Sequence, residues 1–270
     1  MVDHFTLSRD HPLEDRLAAV AAAGAHGVGL YLGEIERLMG LGLTLDRLEQ
    51  LLDANDLALV DIEVVKALQS SGPGAEQAAR FERLAWELAD RFGCRYLQAV
   101  GPFDGTADDA AERFAGLCDR ADEHGLIVGL EPLPFTNVGH LADVLHIVRL
   151  AARSNGGVCL DLWHHTRGGE GRVALEDLRP GDIKAVQMCD GPLVPALDDY
   201  YTDCLTNRVP PGQGEMDAAG FVATAIRLGS TAPWSLEVCD ARAVGAAGTD
   251  HVARSVAAMR TVLAAAQGAD

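Results

Sequence analysis

The chain has 270 residues, 48% hydrophobic and 23% charged, which is enough apolar material for a large core and excludes intrinsic disorder. Forty Asp and Glu against 22 Lys and Arg leave a formal charge of −18, which repels phosphate backbones and anionic lipid and argues against a nucleic-acid partner. No apolar run reaches the roughly 18 residues of a bilayer span and no signal-peptide pattern follows Met1, so the expectation is a cytoplasmic protein with no membrane partner.

Short apolar, β-branched runs alternate with helix-period runs along the chain, the pattern of βαβ units. A strand is expected at His4–Ser8, then a helix over Leu13–Ala23 ended by Gly24. The strand at Gly27–Leu32 is followed by a helix over Leu45–Ala54 with Thr44 as its N-cap. Next come strand Ala58–Val65, helix Glu76–Phe92 ended by Gly93, and strand Tyr96–Gly101. Thr106 opens a helix over Asp108–Glu123 with Gly125 behind it, and strand Ile127–Leu133 follows. Helix Leu141–Ala152, strand Gly157–Trp163, a short helical piece at Leu175–Leu178 and strand Ile183–Met188 come next. The irregular stretch Cys189–Asp217 is long enough to read as a functional loop. Helix Ala218–Leu228, ended by Gly229, strand Trp234–Val238 and helix Asp250–Ala265 complete the chain.

Eight such units close naturally into a (β/α)8 TIM barrel, expected to form one domain over residues 1–270. A doubly wound open sheet would carry a glycine-rich phosphate turn after an early strand, and no GxGxxG follows Gly27–Leu32. The six cysteines show no CxxC pairing, so reduced thiols are expected.

In closed parallel barrels the chemistry sits at the C-terminal strand ends. Four polar residues occupy such ends: Glu131 in GLEPL, Asp161 in VCLDLWHH, Gln187 in KAVQMCD and Glu237 in WSLEVCD. A buried carboxylate needs a partner, a proton or a cation. Lys184 is the one basic residue in these four strands, and its odd spacing from Gln187 points it away from them. A divalent cation held by Glu131, Asp161, Gln187 and Glu237 resolves the conflict, and oxygen ligands favour a hard ion, Mn2+ or Mg2+. Cys159, Cys189 and Cys239 each lie two positions from one of these residues and share its face. They are read as small fillers of the interior, with Cys189 and Cys239 at the pocket rim as the sharper alternative.

The order Glu, Asp, Gln, Glu on the last four strands resembles the sugar phosphate isomerase/epimerase superfamily, whose members share the xylose isomerase-like barrel. His164 in DLWH and Arg208 in RVPPGQG fall where that superfamily places substrate-contacting His and Arg residues. The resemblance implies a divalent-metal-dependent isomerase or epimerase of a sugar, sugar phosphate or related polyhydroxy ketone. It would act by removing a proton alpha to a carbonyl held by the metal. Glu131 and Glu237 would be its acid/base pair, and His164 would donate to a substrate oxygen. Arg208, Glu63 of DIEVV and Gln98 of YLQAV would bind the substrate, with Gly212 and Gly214 shaping the turn after Arg208.

Gln187 departs from the His found in many sugar epimerases and resembles the dehydratase branches, so a dehydroshikimate- or inosose-type dehydratase (lyase) is the alternative. A non-catalytic binding barrel is a third reading. The implied partner is a small-molecule substrate, and superfamily members often assemble into homo-oligomers.

Overall fold

The computed structural model describes residues 1–66, 69, 71–169, 171–243 and 248–267. Among these residues, seven parallel strands pair strictly in sequence order: β1 (Gly27–Tyr31), β2 (Ala58–Val65), β3 (Tyr96–Val100), β4 (Ile127–Glu131), β5 (Gly156–Asp161), β6 (Ile183–Met188) and β7 (Trp234–Leu236). Val2 bridges both sheet edges in parallel, to Val28 on one side and Leu236 on the other, so the sheet closes on itself. This is the expected barrel, with one correction. The strand expected at His4–Ser8 is a 3-10 turn at His4–Thr6, and the closing residue lies just before it. Asp3 causes the change, because its carboxylate accepts the Phe5 N–H at 2.7 Å and turns the chain. Thr6 still ties this segment to the last strand, donating to Leu236 O at 2.6 Å and accepting from Val238 N at 2.9 Å.

Helices pack outside the strands. Leu45–Ala54 has the expected bounds, and Leu13–Ala22, Gly72–Phe92, Ala107–Asp122, Leu141–Ala151, Ala218–Arg227 and Gly248–Gln267 match their sequence counterparts to within a few residues. Thr44 and Thr106 accept the backbone N–H of Arg47 and Asp109, as N-caps do. Helices that the sequence pattern did not reveal cover Leu32–Gly40, Leu162–Arg167, Gly171–Ala174 and Tyr200–Thr206. Two of these begin directly from a strand. Leu32 and Trp163, expected at strand ends, are helical because the chain turns as soon as it leaves the barrel.

Inside, side chains of alternate residues meet in layers. Tyr96, Cys159 and Ala185 form a small apolar floor from β3, β5 and β6. Above it Gln98, Glu131, Asp161 and Gln187 point inward, with Asp161 in register opposite Gln187. Polar groups thus crown a packed interior at the strand ends, where the helix-lined exterior gives way to loops. Among the described residues, no helix is long and apolar enough to cross a membrane.

Candidate active site

Period two brings each strand-end side chain to the same interior. Glu131 is the last residue of β4, Asp161 the last of β5, Gln187 the penultimate one of β6, and Glu237 follows β7 directly. All four are buried. Asp161 also caps the helix Leu162–Arg167, accepting the His164 N–H at 2.7 Å, so the strand end that presents the acid also places the histidine one turn on. One ligand atom each from Glu131, Asp161 and His164 lies within 4.8 Å of the others.

Two of the acids are bound together by Arg208, which the resemblance placed as a substrate contact. Arg208 is 1% exposed, and its Nη1 donates to Asp161 Oδ2 and Glu237 Oε2, each at 3.0 Å. The one strand cation, Lys184, faces away from the acids as its spacing predicts, donating outward to Ser154 O. The positive charge instead arrives from the long loop after β6. Arg208 is fixed there by its own backbone N–H to Cys239 O and by Nε to Cys204 O, both at 3.0 Å. Its guanidinium also lies 5.5 Å from the centre of the Trp163 ring, whose other near cation is Arg167 at 4.6 Å.

The loop that carries Arg208 is ordered by two buried aspartates. Asp190 accepts the N–H groups of Gly191, Gly212 and Met216. Gly214 must be glycine, since a Cβ there would stand 2.3 Å from Asp190 Oδ1 and 2.5 Å from Gly191 N. Asp203 pairs with Arg167 at 2.9 Å while accepting Ala196 N and Asn207 Nδ2. The RVPPGQG turn is therefore a rigid mount, and Gly212 and Gly214 shape it as expected.

Electrostatics divide the acids. Burial pushes Asp161 up, but Arg208 and His164 more than offset it and hold the carboxyl below the usual range. Burial and the neighbouring Asp161 charge push Glu131 well above its ordinary range. Glu237 also stays well above it, because burial and Asp161 outweigh a guanidinium shared with another carboxylate. The site therefore holds one ionised aspartate flanked by two carboxyl groups that keep a proton to unusually high pH.

His164 has a defined tautomer. Arg208 Nη2, which can only donate, lies 3.3 Å from Nε2, so Nε2 accepts and Nδ1–H donates to the Tyr200 hydroxyl at 2.9 Å. Nε2 also faces Glu131 Oε1 at 3.7 Å. Burial, with Arg208 adding to it, lowers the imidazole to about 4. Its folded value is thus below the unfolded one near 6.5. The unfolded chain then binds the extra proton between those values, and stability falls as pH drops. The stability of wild type relative to His164→Asn is expected to be flat above pH 6.5 and to decline by up to about 3 kcal/mol toward pH 4. Urea unfolding across that range tests it, and a rise toward pH 4 would contradict the assignment.

The remaining candidates fall in two places. Gln98 belongs with the acids, donating to Glu131 Oε2 at 2.7 Å and accepting from Gln187 Nε2 at 3.1 Å. Glu63 lies instead with Asp3 and Asp61 in a second acidic cluster. Cys159 packs under Gln187 with Sγ 3.3 Å from its Oε1, and Cys189 Sγ is 3.7 Å from Arg208 Nη1. All three interior cysteines are buried, the favoured sequence reading. Phe135, Tyr200 and Tyr201 cluster over His164, with ring centres 5.5 to 5.8 Å from Phe135 to the two tyrosines.

A family model described as xylose isomerase-like TIM barrel matches residues 17–262. The chain belongs to that family. Within curated proteins, it is 30% identical to a 3-dehydroshikimate dehydratase of Pseudomonas aeruginosa over 236 residues, and 30% identical to one of Pseudomonas putida over 245 residues. Each match covers 86% of this chain but 37% of the relative, so this family member spans little more than a third of their length. A solved structure described as the IOLI protein with a binding zinc atom superposes with a TM-score of 0.85 at 17% identity, covering 97% of both chains. That likeness is one of fold.

Proposed function

We propose that this barrel is a divalent-metal-dependent isomerase or epimerase of a sugar, sugar phosphate or related polyhydroxy ketone. The observation that carries the reading is the pair of carboxyl groups, Glu131 and Glu237, both held well above their ordinary range beside an ionised Asp161. Such groups can take up and return protons as general acid and base.

The donor set fits a hard ion. Asp161, Glu131 and Glu237 supply carboxylate oxygens, Gln187 an amide oxygen, and Glu131, Asp161 and His164 already bring ligand atoms within 4.8 Å of one another. Mn2+ and Mg2+ are the proposed ions. When bound there, the ion would polarise a substrate carbonyl and acidify the adjacent C–H. Glu131 and Glu237 would move the proton to and from that carbon. Gln98 holds Glu131 by the 2.7 Å hydrogen bond and would also meet a substrate hydroxyl. Arg208 would bind an oxyanion or carboxylate in the geometry its loop imposes. His164, its Nδ1–H committed to Tyr200, presents Nε2 to the site as the group that exchanges a proton with a substrate oxygen.

Elimination of a β-hydroxyl from a cyclic ketone shares the first proton abstraction, and two observations favour this second outcome. Gln187 replaces the epimerase-type His, and the 30% identical relatives are named 3-dehydroshikimate dehydratase. Incubation with Mn2+ in D2O separates the two. Deuterium at the carbon alpha to the carbonyl of a ketose without mass loss identifies the isomerase or epimerase, and net loss of water from 3-dehydroshikimate identifies the dehydratase. Neither result, with Mn2+ bound, would sink both readings.

A further inference from the structure

On the opposite side of the barrel interior, three more carboxylates converge: Asp3 beside the closing residue Val2, and Asp61 and Glu63 on β2. Each is 0% exposed, and one oxygen from each lies within 4.8 Å of the others. Both oxygens of Asp61, both of Glu63 and Oδ2 of Asp3 are buried without a hydrogen-bond partner among the described residues. Buried acceptors of this kind are rare, and a charged one is strongly unfavourable unless something positive sits among them.

The cations nearby are committed elsewhere. Arg208 acts on Asp3 through space, but its hydrogen bonds go to Asp161, Glu237 and Cys204. The Met1 amino group influences Asp3 and Asp61 yet donates to Trp234 O at 2.9 Å. The backbone meanwhile leaves space for the acids to converge. Residue 29 on β1 is a glycine, and a Cβ there would come within 2.9 Å of Glu63 Oε1 and 3.5 Å of Asp3 Oδ2.

We infer that Asp3, Asp61 and Glu63 form a second cation site, one that takes a hard divalent ion through carboxylate oxygens alone. Three oxygens no more than 4.8 Å apart share a point at most about 2.8 Å from each, so side-chain shifts of a few tenths of an ångström bring them to the roughly 2.0 to 2.6 Å of Mg2+, Mn2+ or Ca2+. With no nitrogen or sulfur donor among the three, the site disfavours soft ions. Charge balance points the same way. Among the described residues, the interior gathers six carboxyl groups, Asp3, Asp61, Glu63, Glu131, Asp161 and Glu237, around the Arg208 guanidinium. Ion binding requires ionised carboxyl ligands; with all six ionised, one ion at the Glu131 and Asp161 site leaves half of the negative charge unmatched, and a second ion removes most of the remainder. The competing way to satisfy the cluster is proton sharing between Asp3 and Glu63, which face each other closely enough to interact.

The site stands independently of the proposed reaction, and ion counting separates the two. Chelator-stripped full-length protein is titrated with MnCl2 and bound Mn2+ is counted by equilibrium dialysis with elemental analysis. Two ions per chain are expected in wild type, one in Asp61→Asn/Glu63→Gln, and one in Glu131→Gln/Asp161→Asn. Gly29→Ala, which places a methyl among the three acids, is expected to weaken one ion at least tenfold and provides the test if the double variant does not fold. Loss of an ion only in Asp61→Asn/Glu63→Gln would support this site while removing the metal from the proposed function. An unchanged ion count in both Asp61→Asn/Glu63→Gln and Gly29→Ala overturns the inference and leaves proton sharing as the answer.

Discussion

Replacing Glu131 with Gln is expected to lower kcat by about 100- to 10,000-fold, the usual contribution of a positioned acid or base. The substitution keeps the side-chain shape, and the new amide oxygen can still accept from Gln98 Nε2, now 2.7 Å from Glu131 Oε2. What is lost is the ability to carry a proton, so the defect should fall on kcat more than on KM. Glu237→Gln should behave alike, because its carboxyl is raised by the same burial and the same Asp161 charge. Steady-state kinetics with saturating Mn2+ gives the answer. A Glu131→Gln enzyme retaining more than a tenth of wild-type kcat would remove Glu131 from proton transfer, and the carboxyl pair could no longer carry the functional reading.

Much of this centre was legible in the sequence because strands have a period of two. Glu131, Asp161, Gln187 and Glu237 each end or directly follow an apolar run, and a residue at the end of a parallel barrel strand has one interior to face. His164 was picked out by the superfamily resemblance, and the structure gives the local reason: a residue three past a strand-ending aspartate falls within the first turn that the aspartate caps. Asp61 obeyed the same alternation as Glu63 in DIEVV but stood mid-strand, where the strand-end rule does not look. Asp3 was missed because the expected first strand began one residue too late. Its capping bond to Phe5 belongs to the turn that replaced that strand.

The reach of Arg208 was hidden for a different reason. It lies in an irregular loop, 47 residues from Asp161 and 29 before Glu237, and no periodicity relates positions so far apart. Its place is decided by Asp190, Asp203 and Gly214, whose contacts exist only once the loop is folded on the barrel. Buried strand-end acids demand positive charge or a proton, and the charge can come from two sources. The fold supplies the first from a loop, and a divalent ion is the proposed second.

That division yields a second large effect. In chelator-stripped protein, Arg208→Met is expected to reduce folding stability by about 3 to 5 kcal/mol, the usual result of removing one partner from a buried ion pair. Asp161 and Glu237 would each lose a 3.0 Å charged hydrogen bond, and Cys204 O would lose its donor. Added Mn2+ should then recover more stability in the variant than in wild type, because an ion among the same oxygens restores the missing positive charge, and ligand bound to the native state stabilises it by mass action. Urea unfolding of both proteins, with chelator and with Mn2+, measures the four free energies required. Equal recovery in the two proteins would mean that the ion and the guanidinium do not compensate the same acids. A stripped Arg208→Met protein within 1 kcal/mol of wild type would mean that these acids are already neutral when the arginine is absent, and the electrostatic case for a metal at the strand ends would lose its basis.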